Sequence, residues 1–184
     1  MTMLSRSVPS LSVAVKNGSR PGAEALRTAL AESLPKAATL AAKDFEYVST
    51  LGYFTPRVLQ GVKVVDAATV DTEMKRGVRY IDTRTAAEFK EGHVPGAVLL
   101  PYVEKSAKEA DFNGAEDQFD IAKLGGDRNA PLIFGCNGAE CWKSFKASQL
   151  ALKAGYTQVN WFRGGFPEWR SAGLKIATAA PAPQ

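Results

Sequence analysis

Residues 78–101 read VRYIDTRTAAEFKEGHVPGAVLLP, and this stretch decides the fold class. Residues 78–82 form a short run of β-branched and aromatic residues, as a strand requires. Residues 86–91 suit a short helix, and residues 97–100 form a second strand that Pro101 closes. Strand, helix and strand in so short a span describe a parallel crossover. The same text continues on both sides. Residues 62–65 read as a strand, and residues 70–76 as a helix ended by Gly77. Residues 131–135, PLIFG, are a compact apolar strand, and residues 142–154 are helical up to Gly155. Residues 159–162 are a strand followed by Gly164-Gly165, and residues 167–172 a last helix. Residues 103–128 are mixed and polar, without a clear period, and are compatible with helices. Short strands separated by helices predict an α/β fold whose central parallel sheet is flanked by helices on both faces. Ligands of such sheets sit beyond the carboxyl ends of the strands, which points to the loop after PLIFG.

The flanks differ in composition. Residues 1–22 have no period and are expected to be a flexible N-terminus. Within them residues 10–15, behind Arg6, fall short of the apolar core of about 7–15 residues that an export signal needs. Residues 23–61 place Ala25, Leu26, Ala29 and Leu30 at helical spacing, interrupted by Pro35, and Phe45, Val48, Leu51 and Tyr53 offer further apolar anchors. They are expected to form a helical N-terminal extension of one or two short helices. Residues 177–184, ATAAPAPQ, are low in complexity and expected to be a flexible tail. The domain proper is then 62–176.

Composition narrows the function. At 45% hydrophobic and 23% charged residues the chain sits near the globular average. No run approaches the roughly 18 apolar residues of a membrane-spanning helix, so a soluble protein without a membrane span is expected. The net charge of +4 comes from 23 basic and 19 acidic residues, and residues 1–61 hold seven of the former and four of the latter. The excess lies mainly in the N-terminal arm, and nothing forms the clustered basic footprint that nucleic acid requires.

Cys136 and Cys141 are the two cysteines and His93 the one histidine. A disulfide-stapled secreted domain carries more cysteines, spread more widely. The ligands for a structural zinc site are also too few, so no metal is expected. Cys136 ends the apolar strand and opens the loop Cys136-Asn137-Gly138-Ala139-Glu140-Cys141, which runs into the helix near Trp142. A thiol at such a turn lies near unpaired backbone amides and the positive end of a helix, both of which favour the reactive thiolate. The same donors suit an anion or a persulfide, and Gly138 lets the backbone curl around it. From the loop alone, a buried and inert thiol is the competing reading.

Three motifs then appear in order. Residues 78–101 carry Asp-x-Arg at a strand end, Glu-Phe, and Gly-His-Val-Pro-Gly-Ala; Cys136 follows a strand; and residues 159–174, VNWFRGGFPEWRSAGL, carry Gly-Gly-Phe-x-x-Trp. Together they resemble the rhodanese-like domain family over residues 62–176. The resemblance implies a sulfurtransferase that takes sulfane sulfur from a donor such as thiosulfate or a persulfide. It implies Cys136 as the nucleophile and persulfide carrier, and residues Asn137 to Trp142 as a substrate-binding loop whose amides hold the anionic sulfur. Asp82, Glu88, His93, Gly165 and Trp169 fall on structural positions of the motifs. Arg84 does too, with attraction of an anionic donor as a second role. No cofactor is implied. The partners are a small sulfur-containing donor, a thiol or cyanide-like acceptor, or a protein sulfur carrier.

The loop departs from the family's common form, which has a basic residue at its sixth position. Here Cys141 and then Trp142 stand there, and Glu140 adds negative charge, which is expected to disfavour the Cys136 thiolate and to repel thiosulfate. Lys143 and Lys146 offer compensation if they lean toward the mouth. The pattern is similar to a subset of rhodanese-like proteins with a CxxxxCW loop. The second thiol offers a second chemistry: Cys141 is a candidate resolving thiol, attacking the Cys136 persulfide and leaving a disulfide; the alternative is a small packed hydrophobe. A thiol-disulfide or persulfide reductase and a non-catalytic binding module are therefore the competing functions. The loop speaks against a phosphatase, because Cys141, Trp142 and Lys143 occupy the positions where related phosphatases of this fold carry a phosphate-gripping Arg. Cytoplasm and bacterial periplasm both fit.

Overall fold

A computed structural model describes residues 44–48 and 53–178. The expectations for residues 1–22, for helices within 23–43 and for the tail beyond 178 lie outside them. Five parallel strands form the central sheet: β3 (Val62–Val64), β4 (Arg79–Asp82), β5 (Val98–Leu99), β6 (Leu132–Gly135) and β7 (Val159–Phe162), in the spatial order β3-β7-β6-β4-β5. Helix α1 (Ala67–Lys75) joins β3 to β4, α2 (Ala86–Glu91) joins β4 to β5, α3 (Lys143–Lys153) joins β6 to β7, and α4 (Gly165–Ser171) follows β7.

The apolar run of β6 follows from its place. It is the central strand, and all four of its residues are buried, as expected where both faces of a parallel sheet are covered. Its side chains alternate between two cores. Leu132 and Phe134 pack with Ile81, Val159 and with Ala147 and Ala151 of α3. Ile133 packs on the other face with Tyr80, Phe162, Val70 of α1 and Phe166 and Trp169 of α4.

Register carries this layering to the site. Asp82 pairs with Gly135 and with Leu99, and Gly135 pairs with Phe162. The central strands thus end level, and the segments that leave them (Thr83-Arg84, the Cys136 loop and Arg163-Gly164-Gly165) emerge side by side.

Two expectations are corrected. Within the extension expected to be helical, residues 45–48 and 53–56 instead pair as an antiparallel hairpin of β1 (Phe45–Val48) and β2 (Tyr53–Pro56), with Phe45 opposite Pro56 and Val48 opposite Tyr53. The segment is dense in aromatic and β-branched residues, which favour strands, and each strand supplies the other's backbone partners. Residues 103–128 hold a single short 3₁₀ turn, Ile121–Leu124, and are otherwise irregular. Their order comes from side chains. Asp117 accepts from Tyr102 Oη (2.5 Å), Lys105 N (2.6 Å), Ser106 N (2.7 Å) and Ser106 Oγ (2.6 Å). Partial burial pulls the Asp117 carboxyl up, but these donors outweigh it and hold the group well below the ordinary value. Ala177, the first residue of the expected tail, bridges to His93 through paired backbone hydrogen bonds of 2.8 and 3.0 Å.

Gly135 is the tightest point of the sheet, because a Cβ there would overlap the hydroxyl of Tyr80, itself fully buried. Gly135→Ala is expected to destabilise the fold by about 1–3 kcal/mol through overpacking. The midpoint of urea unfolding measures this, and an unchanged midpoint would contradict it.

Candidate active site

The cysteine loop is clamped at its first residues. The carbonyl of Gly135, just before Cys136, accepts from Thr83 N (3.0 Å) and from Thr83 Oγ1 (2.9 Å). The carbonyl of Cys136 accepts from Phe166 N at 2.9 Å. Beneath the loop runs Gly165, with φ of +57°; a Cβ there would overlap the Cys136 carbonyl oxygen and lie 2.8 Å from Gly138 N. Gly138 has φ of +102°, a conformation that suits glycine, and its carbonyl accepts from Cys141 N at 3.0 Å. That turn folds the loop back so that Cys141 lies over Cys136.

The two cysteines are joined in a disulfide across a Cα–Cα distance of 6.2 Å, within the normal range for such bridges. Cys136 is 1% exposed, whereas Cys141 is half-buried. Cys136 is thus the buried member of the pair, and Cys141 is the member nearer to solvent.

Asn137 turns outward to the α2 cap. Its Nδ2 donates to Glu88 Oε1 at 2.6 Å. The other Glu88 oxygen accepts from Thr85 N (2.9 Å) and Thr85 Oγ1 (2.7 Å), while Thr85 Oγ1 accepts from Glu88 N (3.3 Å), a reciprocal capping box. Glu88 thus links the start of α2 to the cysteine loop. Partial burial raises its pKa, but hydrogen bonds from Thr85 and Asn137 and the charge of Lys143 reverse this and leave it lowered. The Thr85-Ala86-Ala87-Glu88 spacing is the signal that would have revealed this role in the sequence.

Asp82 and Arg84 are both buried and form a bidentate pair. Arg84 Nε donates to Asp82 Oδ1 (3.0 Å) and Oδ2 (3.1 Å), and Nη2 donates to Oδ2 (2.6 Å) and to the Gly92 carbonyl (2.9 Å). The guanidinium also lies 4.3 Å from the Phe166 ring centre. Its interactions bind the loops together, although it lines a neighbouring cavity. His93 stacks on Phe89 at 3.7 Å, and its Nδ1 meets the Phe89 carbonyl at 2.7 Å. Trp169 Nε1 donates to the Lys175 carbonyl at 2.7 Å. Both histidine and tryptophan are thus engaged in packing.

Three features differ from the sequence reading. Lys146 does not lean toward the mouth: it is fully buried, 2.9 Å from Glu104 Oε2 and 2.8 Å from Ser106 Oγ, where it secures the irregular segment to α3. The amide of Cys141 is taken by Gly138, so it is not among the free donors of the loop. Trp142 is buried away from the loop mouth, in a cluster with Phe45, Leu59, Phe145 and Trp161. Ala139 is half-buried and Glu140 exposed at the rim. Thr83 and Arg163, which hold the loop and the glycine turn, carry no sequence signal of their own. Beside Asn137 an open cavity of about 890 Å³ is lined by Arg84, Glu88, Phe166, Arg170 and Ile176 among others.

Comparison with known proteins gives a consistent result. Residues 66–172 match the rhodanese-like domain family. The chain is 35% identical over 98 residues to thiosulfate sulfurtransferase 16, chloroplastic, of Arabidopsis thaliana, covering 53% of this chain and 78% of that protein. It is 30% identical over 119 residues to the mitochondrial protein HIGH ARSENIC CONTENT 1 of the same plant, covering 65% and 68%. Among solved structures, SseA of Escherichia coli, described with the 3-mercaptopyruvate sulfotransferases, superposes with a TM-score of 0.50 at 20% identity, covering 65% of this chain and 53% of that one. At that identity the likeness concerns the fold.

The Glu88 link has a pH signature. Its carboxyl titrates below the ordinary value of 4.5, so its contribution is complete above that value and is lost as pH falls through the lowered one. The stability advantage of the native chain over Glu88→Gln is expected at neutral pH and should shrink below about pH 4.5. Chemical unfolding across that range measures it, and a gap that widens with acid would contradict the assignment.

Proposed function

The chain belongs to the rhodanese-like family, whose sulfurtransferase-type chemistry it shares, and from that premise we propose that it reduces sulfane sulfur to sulfide with two thiols. Cys136 is the nucleophile. Its thiolate attacks the sulfane sulfur of a donor, forming a Cys136 persulfide and, where the donor is thiosulfate, releasing sulfite. The thiolate of Cys141 then attacks Sγ of Cys136. The bond from that atom to the outer sulfur breaks, the outer sulfur leaves as hydrosulfide, and the Cys136–Cys141 disulfide forms. An external thiol opens the bridge at the more exposed Cys141, freeing Cys136 as thiolate, and a second external thiol attacks the sulfur of the first, forming the external disulfide and expelling Cys141 as thiolate. Over one cycle, a sulfane sulfur and two external thiols become one sulfide and one external disulfide. The balance closes without a metal or an organic cofactor.

The observation that carries this reading is the disulfide between the two loop cysteines. Local electrostatics support the division of roles. Cys136 lies where β6 gives way to the loop leading into α3, an eleven-residue helix, and helix starts favour a thiolate leaving group and nucleophile. Glu140 at the rim weakens the pull on a dianion, and Lys143 is occupied in part by Glu88. Both points support a persulfide or a protein sulfur carrier as donor over thiosulfate. The second reading passes sulfur from Cys136 directly to an external thiol or cyanide-like acceptor while Cys141 stays idle. The likeness to thiosulfate sulfurtransferase 16 supports that version.

Intact-mass analysis of the reduced protein after treatment with thiosulfate or polysulfide, without added reductant, separates the readings. Cys136→Ser is expected to take up no sulfur. Cys141→Ser is expected to keep one extra sulfur, and the native chain to release sulfide and end in the disulfide. Stable persulfide on the native chain would contradict resolution by Cys141, and sulfur uptake by Cys136→Ser would contradict the nucleophile.

A further inference from the structure

The β1–β2 hairpin meets the site at two points that the chemistry above does not use. The first is apolar. Phe45 is 3% exposed and shares a cluster with Leu59, Trp142, Phe145 and Trp161. Trp142 directly follows Cys141, and its ring meets Phe145 edge-on at 5.5 Å, as Phe145 meets Trp161 at 5.5 Å. The buried Nε1 of Trp142 has no hydrogen-bond partner among the described residues, so packing alone holds the ring.

The second point is polar. Arg163, just before Gly164-Gly165, reaches back to both hairpin strands. Its Nε donates to the Pro56 carbonyl at 2.7 Å, its Nη2 to Thr55 Oγ1 at 3.0 Å, and its Nη1 pairs with Glu46 at 2.7 Å. Glu46 and Thr55 are opposite each other in the hairpin, so a single guanidinium grips a matched pair across the two strands. A planar, forked donor set suits this and a lysine cannot reproduce it.

We propose that the hairpin positions the dithiol, with Trp142 and Arg163 as the positioning residues through which it acts. This rests on the two-thiol reading above. With the Trp142 ring committed to the hairpin side, the adjacent Cys141 is turned onto Cys136. With Arg163 fixed, Gly165 stays against the Cys136 carbonyl and the Gly138 amide. Both ends of the loop are thereby held, which raises the effective concentration of the Cys141 thiol at Cys136. In the exchange of the bridge with two glutathione molecules, giving the dithiol and glutathione disulfide, a higher effective concentration favours the bridge. It also speeds expulsion of sulfide from the persulfide.

The test uses the full chain with Phe45→Ala and the milder Glu46→Gln, at a side chain that is half exposed. Equilibration in glutathione buffers, read by thiol alkylation and mass, is expected to shift toward the dithiol by about fivefold for Phe45→Ala, as for loss of a buried aromatic contact. A smaller shift in the same direction is expected for Glu46→Gln. Single-turnover sulfide release should slow in parallel, whereas sulfur uptake by Cys136 in a Cys141→Ser background should not change. Phe45→Leu should restore most of the native equilibrium. A folded Phe45→Ala whose equilibrium stays within about twofold of native would overturn the positioning role alone, since aromatic contacts contribute more than this. If the native chain itself forms no bridge during turnover, the two-thiol reading falls and takes this inference with it.

Discussion

Everything at the site is arranged around one close backbone contact. Gly165 passes so near the Cys136 carbonyl and the Gly138 amide that no side chain fits between them. Phe166 N then donates to the Cys136 carbonyl, and the Phe166 and Trp169 rings sink into the core behind it. The cysteine loop is thus seated on the start of α4, and its curvature follows from that seat. Thr83 fixes the preceding carbonyl, and the Gly138 turn brings Cys141 back over Cys136. A loop of six residues with this many restraints has little freedom left in the relation between its two sulfurs.

The charged groups nearby serve the same end. Asp82 and Arg84 are both buried, and an isolated member of such a pair would be strongly unfavourable. Their mutual bidentate contact, the Gly92 carbonyl and the Phe166 ring satisfy them, and in doing so tie the end of β4 to the segment after α2 and to α4. Lys146 plays a comparable part with Glu104 and Ser106 on the other side. Around the two sulfurs, therefore, ion pairs build the frame, and the chemistry is left to the thiols and the backbone.

Most of the frame was legible in the sequence because a sheet covered on both faces writes its strands as apolar runs. Val159–Phe162 and Ala86–Glu91 fall on the residues expected, and Cys136 lies at a strand end as read. The misses share a cause. Arg163 and Pro56 are 107 residues apart in sequence, and Lys146 and Ser106 are 40 apart, so neither partnership leaves a local pattern. The same holds for the hairpin, whose apolar anchors at 45, 48, 51 and 53 fit a helical spacing as well as a strand. The ring of Phe45 finds its place against Trp142, far along the chain. Spacing alone suggested that Cys136 and Cys141 share chemistry, but their pairing depends on the turn that Gly138 makes and the seat that Gly165 provides.

The most direct test of the two-thiol account is a stoichiometry on the native chain. Fully reduced protein is given one equivalent of thiosulfate, whose leaving group is sulfite, without external reductant, and free thiols and released sulfide are counted together. The account expects two protein thiols lost for each sulfide released, with no sulfur retained on the protein. Loss of a single thiol, with the transferred sulfur still bound and no sulfide in solution, would contradict it.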